Sequence, residues 1–281
     1  MLAICEKFAD DFCIRFNSLK TKCLVFVPSC RRTMNEHFKS CVFYLDNMPI
    51  EVVDSFLHLG HLFVSDLKDD ADIIKVRATF VRQVNNVLCY FRKLQPYVRY
   101  KLFQSYCTSL YGCELWVLNN HHIDDVCVAW RKSLRKVWYL PYRTHSNLLP
   151  LISNCLPLFD EICRRSLQFI RVCINHDSSL IRFVTQYGVF YARSLSILGQ
   201  NVDFCAKRYD FDVRDILLNP VYGLINCAVT RFNIKAVDDA ASNSAKLLSE
   251  LLMVRDGLLE IPNNMINLDE LQCMIDFICT T

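Results

Sequence analysis

Apolar positions recur at three- and four-residue steps along most of this 281-residue chain, and the stretch between residues 22 and 64 is the exception. In residues 2–14, Ile4, Cys5, Phe8 and Phe12 fall on one stripe at helical spacing, which predicts an amphipathic helix with Asp10 and Asp11 largely off the stripe. Residues 22–28 are β-branched and aromatic, and 41–45 and 48–53 flank Asp46-Asn47, a hairpin turn signal. Residues 56–64 read as one further strand, and Pro49 suits an edge position. From Asp69 the period changes. Ile73, Val76, Phe80, Val84, Val87, Leu88 and Phe91 mark a long helix whose acidic start (Asp69, Asp70, Asp72) complements the macrodipole and which ends before Pro96. A second helix is expected over 98–117, with Leu102, Tyr106, Leu110 and Tyr111 on one face, and a third over 123–138. Helical spacing continues at 161–175, 179–186, 191–206 and 215–218, then at 221–233, 236–260 and 268–279.

Composition sharpens this into an α+β chain that is predominantly α, with a small antiparallel β segment near the N-terminus. Six Gly and eight Pro leave little room for a turn-rich β architecture, and 52% hydrophobic residues suffice for a core in two or three subdomains. No apolar run reaches the roughly 18 residues of a membrane span, so no membrane partner is expected. Glu6, Lys7, Asp10 and Asp11 interrupt any secretory h-region, which points to an intracellular setting, nuclear or cytoplasmic. The sixteen cysteines sit in apolar stretches, as Cys89, Cys107, Cys163, Cys173 and Cys227 do, and are expected to behave there as small buried hydrophobes. No Cys-x2-Cys occurs, and His58, His61, His121 and His122 stand apart from further ligands, so no metal site is expected.

Net charge is only +3, but residues 75–143 carry twelve Lys and Arg against three Asp and Glu, a local excess of +9. Such a one-signed segment fits a phosphate-binding face or a solvated helix face equally well on charge alone.

Five motifs in a fixed order resemble non-LTR (LINE-type, jockey-like) retrotransposon reverse transcriptases over about residues 1–175. They are the helix around Ile4–Cys13, the strand entry Phe16-Asn17-Ser18-Leu19-Lys20-Thr21-Lys22, the hairpin at 41–53, His58-Leu59-Gly60, and Tyr111-Gly112-Cys113-Glu114-Leu115-Trp116. Trp130-Arg131-Lys132-Ser133-Leu134-Arg135 is similar to the basic helix that follows the family's thumb, with Leu140-Pro141 after it. The resemblance implies a remnant of a polymerase palm at 1–66, a helical thumb at 67–120 and a helical C-terminal region at 121–281. In the intact family, paired aspartates at a hairpin tip hold Mg²⁺ for RNA-directed DNA synthesis by two-metal phosphoryl transfer. Here Phe8-Ala9-Asp10-Asp11 lies inside the helical pattern, where adjacent side chains diverge by about 100°. It is therefore not expected to be that box, and the chain is expected to begin after it, with no cofactor of its own and no polymerase activity alone.

What the resemblance leaves to this chain is binding. Lys20 aligns with the lysine proposed as general acid to the leaving pyrophosphate, a role that would be idle without the aspartates, and Asn17 is expected to turn the backbone. Leu59 and Gly60 fall on the primer-grip strand, where glycine would serve either close approach of the primer or a bulge. Lys75, Arg77, Arg82, Arg92, Lys93, Arg99 and Lys101 on the first two helices, and Arg131, Lys132, Arg135 and Lys136 on the third, would grip phosphates of an RNA/DNA template–primer duplex. No small-molecule substrate is expected. A domesticated helical binding module with vestigial ancestry is the alternative. The N-terminal strands, with an exposed edge, are expected to be less stable than the helical remainder.

Overall fold

The computed structural model describes residues 2–17, 20–26, 42–142, 144, 146, 148–153, 155–218 and 225. The helices expected at 221–233, 236–260 and 268–279 lie outside these, apart from Ile225. The fold is mixed α+β and mostly helical, as the pattern predicts. Two compact units divide between Lys75 and Val76, inside a helix.

The first unit opens with α1 (Leu2–Asp11), which ends where Cys13 takes a positive φ of 52° and Ile14 N–H closes onto the Ala9 carbonyl at 2.8 Å. Its apolar stripe is exposed at Ile4, Phe8 and Phe12, and Ala9 is the buried position. The anchor is polar instead, with Glu6 Oε1 accepting the Asp46 N–H at 2.9 Å.

Strands β1 (Lys22–Leu24), β2 (Phe43–Leu45) and β3 (Met48–Val53) form one sheet in the order β1-β3-β2. Asp46 and Asn47 take φ of 52° and 56° between the paired residues Leu45 and Met48, the two positive dihedrals of a type I′ hairpin. The sheet is mixed rather than antiparallel, because β1 runs parallel to β3 with Lys22 opposite Glu51, and the two side chains form an ion pair. A tight turn fixes the direction only of the strands it joins, and no such turn joins β1 to β3. β3 is central, yet Pro49 lies outside the 51–53 stretch that β1 covers, so it still occupies a local edge.

Strands β4 (Ser55–His58) and β5 (His61–Val64) form a separate antiparallel hairpin where a single strand was expected. Leu59 and Gly60, with φ of 48° and 86°, turn the chain back on itself. The hairpin is fastened to the first turn of α2 (Asp70–Tyr90). Buried Asp72 accepts the Leu62 N–H at 2.8 Å and the Lys75 ammonium at 3.4 Å through Oδ1. His61 Nδ1 approaches Asp72 Oδ2 at 3.0 Å without the alignment of a hydrogen bond.

In the second unit, Phe80, Val84 and Val87 of α2 are buried as the period predicts. Pro96 opens α3 (Pro96–Cys107), whose buried face is Arg99, Tyr100, Phe103 and Cys107. Tyr106 and Tyr111, from the face marked by the sequence period, are exposed. The helix stops ten residues short of the expected 117, since Leu110 (φ 39°) and Gly112 (φ 89°) bend the chain into a 3₁₀ turn, Cys113–Leu115. Helices α4 (His122–Val137), α5 (Leu148–Ser153), α6 (Leu158–Ile174), α7 (Ser179–Gln186, continued by a π turn at Tyr187–Tyr191), α8 (Ile197–Tyr209) and α9 (Asp215–Leu218) follow. α6 is the hub, packing on the 3₁₀ turn, α4, α7 and α8. Trp116, Ile123, Leu134, Ile152, Ile162 and Leu167 are fully buried in this unit. At roughly 25 cal/mol per Å² of apolar surface removed from water, such residues dominate its stability.

Candidate nucleic-acid interface

Lys20, Leu59, Gly60 and Lys75 belong to the first unit. Asn17 builds the turn expected of it, its Oδ1 accepting the Lys20 N–H at 3.2 Å and its carbonyl accepting from the Thr21 hydroxyl at 2.9 Å. Lys20 is exposed beside this turn. Leu59 and Gly60 form the hairpin tip rather than a strand, with Leu59 74% exposed. The glycine meets the demand for positive φ, so neither a bulge nor a strand-borne close approach describes it. Lys75 Nζ donates to the Gly60 carbonyl at 2.5 Å, so this lysine braces the tip as well as charging it.

The basic residues of the second unit divide into two groups. Arg77, Arg82, Arg92, Lys93, Lys101, Lys132 and Lys136 are exposed, and none forms an ion pair with a described carboxylate. Arg99 departs from expectation. It is 1% exposed, donates through Nε at 2.8 Å and through Nη2 to the carbonyl of Val137, and lies with its guanidinium carbon 3.6 Å from the Tyr139 ring centroid. A cation at that place neutralises the negative end of α4, and phosphate cannot reach it.

Arg135 is half-buried and also structural in part, donating to the Thr144 carbonyl from Nε (3.1 Å) and Nη2 (2.8 Å) and to Ser146 Oγ at 3.0 Å. Burial, reinforced by the charge of Arg131, pulls its pKa below the ordinary arginine range. The guanidinium thereby holds residues 144 and 146 against α4. Between them lies a groove of about 410 Å³ lined by Arg131, Lys132, Arg135, Tyr142, Thr144 and Ser146, among others. A larger cleft of about 640 Å³ shares Arg131 and Ser146 with it and runs on past Trp130, His121 and Phe159. Trp130 and Trp138 themselves are core: both are buried, and Trp138 Nε1 donates to Ser153 Oγ at 3.0 Å.

Several polar residues that shape this unit carry no motif. The amide of Asn201 donates to the Trp116 carbonyl at 2.8 Å and accepts the Leu118 N–H at 2.9 Å, pinning the chain after the 3₁₀ turn. Arg165 donates to the carbonyls of Ser109 and, at 3.1 Å, Thr108, so α6 holds the end of α3. Asp160 accepts from Arg208 at 3.1 Å and from the Tyr209 hydroxyl at 2.6 Å. A polar residue on an otherwise apolar helical stripe, as Asn201 is between Ile197 and Cys205, is the available signal for such a role.

Asp10 and Asp11 do not fit a two-metal pair, being consecutive, exposed residues of α1. Among the described residues no group of three or more His, Cys, Asp or Glu could hold a metal ion. None of the described cysteines forms a disulfide, and burial pushes the Cys113 and Cys127 thiols up to about 12, which keeps them protonated and unreactive. Among the described residues no helix is long and apolar enough to cross a membrane. No family model, no curated protein and no solved structure matches the chain.

Proposed function

We propose that this chain is the C-terminal portion of a non-LTR retrotransposon reverse transcriptase, comprising the end of the palm, the thumb and a helical tail, and that it binds template–primer duplex through the phosphates. The observation that carries the binding is the set of exposed basic side chains on α2, α3 and α4 (Arg82, Lys101 and Lys132 among them) that no described carboxylate neutralises. A protein that needed these charges only for solubility would be expected to intersperse acids among them, and residues 75–143 hold three acids in all. Phosphate contacts need no sequence-reading geometry, so flexible lysines and arginines on helix faces suffice. In this reading Asp10 and Asp11 are not the family's two-metal pair, and the basic side chains of α2, α3 and α4 serve binding.

The test is fluorescence anisotropy with a labelled RNA–DNA hybrid, titrated from about 50 to 200 mM salt. Log K should fall with log salt at a slope equivalent to several phosphates. Absence of binding, or binding indifferent to salt, would reject the reading. The second outcome would favour a helical protein-binding module, for which the exposed, stacked row Phe183, Tyr187 and Tyr191 offers a surface.

A further inference from the structure

Duplex binding does not explain the groove over α4. A duplex presents its phosphates on a convex surface, whereas this groove is concave and its volume of about 410 Å³ is in the range that encloses a single small molecule or one unstacked nucleotide. Its chemistry is equally specific. Arg131 and Lys132 supply positive charge, and no Asp or Glu is among the described lining residues. Tyr142, which also lines the groove, is 79% exposed, so its ring is open to a stacking partner. Thr144 is 1% exposed, yet its Oγ1 finds no hydrogen-bond partner among the described residues. A buried hydroxyl in that state is costly, and a ligand's donor or acceptor is what would satisfy it.

We infer that this groove takes an unpaired nucleotide of single-stranded nucleic acid, its base stacked on Tyr142, its phosphates held by Arg131 and Lys132, and Thr144 Oγ1 hydrogen-bonded to it. The inference rests on the nucleic-acid-binding reading above and adds a single-strand site to it. Arg135 is a positioning residue in this arrangement, holding the backbone of Thr144 and the hydroxyl of Ser146 in place. The strand has a continuation, since the larger cleft joins at Arg131 and Ser146. That cleft carries Asp124 and Asp160 beside the rings of Trp130, Phe159 and Phe204, so it suits a base better than a phosphate.

The experiment compares a fluorescein-labelled oligo-dT single strand with a labelled RNA–DNA hybrid, using the full chain and its Y142A, Y142F and K101A variants. Y142A should weaken single-strand binding roughly tenfold to a hundredfold, the loss expected for one stacked base, while hybrid binding stays within about twofold. Y142F should bind the single strand like the parent, because the ring and not the hydroxyl does the stacking. K101A, on another helix, should weaken the hybrid and leave the Tyr142-dependent loss intact. Single-strand binding unchanged in Y142A, or equal losses for both ligands, would overturn the groove proposal while leaving duplex binding standing. Failure of the single strand alone to bind the parent would likewise overturn only the groove proposal, and failure of both ligands would overturn both. Tyr142 is exposed, so an unchanged melting curve for Y142A is the control that separates lost binding from lost fold.

Discussion

Arg99 shows how a single side chain can carry the sequence signature of one role and the surroundings of another. It lies in the basic segment, four residues before Phe103, and so shares the buried face of α3 rather than the face of Lys101. Its guanidinium is satisfied without a carboxylate, by the Val137 carbonyl and the Tyr139 ring. Arg99→Leu would leave that carbonyl without its donors and α4 without a cation at its negative end, a cost of about 2–4 kcal/mol. Arg99→Lys should recover part of it, because an ammonium can reach a carbonyl but cannot offer the same two-nitrogen fork or lie flat on the ring. Urea denaturation of the two variants checks the order, and a loss under about 0.5 kcal/mol for Arg99→Leu would contradict it. A phase for α3 built on Tyr100, Phe103 and Cys107 would have put Arg99 inside. The phase built on Leu102 and Tyr106 did not, and α3 is so evenly apolar around its circumference that period alone does not decide between them. Asn201 was illegible for a different reason: its partners are backbone atoms of residues 116 and 118, more than eighty positions away in the chain.

Elements were most legible where a local signal and a long period agreed. α2, α4, α6 and the Asp46-Asn47 hairpin fall close to their expected places, each marked either by several turns of apolar spacing or by turn residues suited to positive φ. The 56–64 segment was misread because His58-Leu59-Gly60-His61 lacks the Asn or Asp that usually announces a two-residue turn, and Leu59 is a poor occupant of φ 48°. That misfit yields a prediction. Leu59→Asn should stabilise the hairpin by about 0.5–1 kcal/mol, since asparagine tolerates the left-handed region and the leucine side chain buries little. Gly60→Ala should destabilise it by about 1–2 kcal/mol, because φ of 86° is strained for any side chain. Thermal melts of the two variants should shift in opposite directions, and a Gly60→Ala protein as stable as the parent would show that the turn is not type I′. The same geometry revises the site: residues expected to lie along a strand stand at a tip, where Leu59 is available to a partner and the Lys75 ammonium rests on the turn carbonyl.

At the scale of the whole molecule, apolar burial is distributed very unequally. Among the described residues up to Lys75 the buried apolar set is Ala9 on a helix whose aromatic stripe is exposed, Leu45 and Ile50 on strands of three to six residues, and Ile73 in the first turn of α2. The second unit buries three tryptophans, Phe80, Phe103 and a long list of aliphatic side chains around α6. Short strands with few buried side chains open locally at low free energy, whereas amides under a large core exchange only through global unfolding. Both outer strands of the mixed sheet, β1 and β2, are three residues long, and Lys22 opens β1, which are devices that blunt an edge but add little stability. Native-state hydrogen exchange should therefore show amides of β2–β5 exchanging well before those of α4 and α6, with α2 graded from its first turn toward Val84. The gap should also be asymmetric to mutation: Arg99→Leu should speed exchange in α4 and leave β4 and β5 unchanged, while Gly60→Ala should do the reverse. If β3 amides outlasted those of α6, the N-terminal unit would owe its stability to something other than apolar burial, and Asp72, which ties the Leu62 amide to α2, would be the first residue to replace.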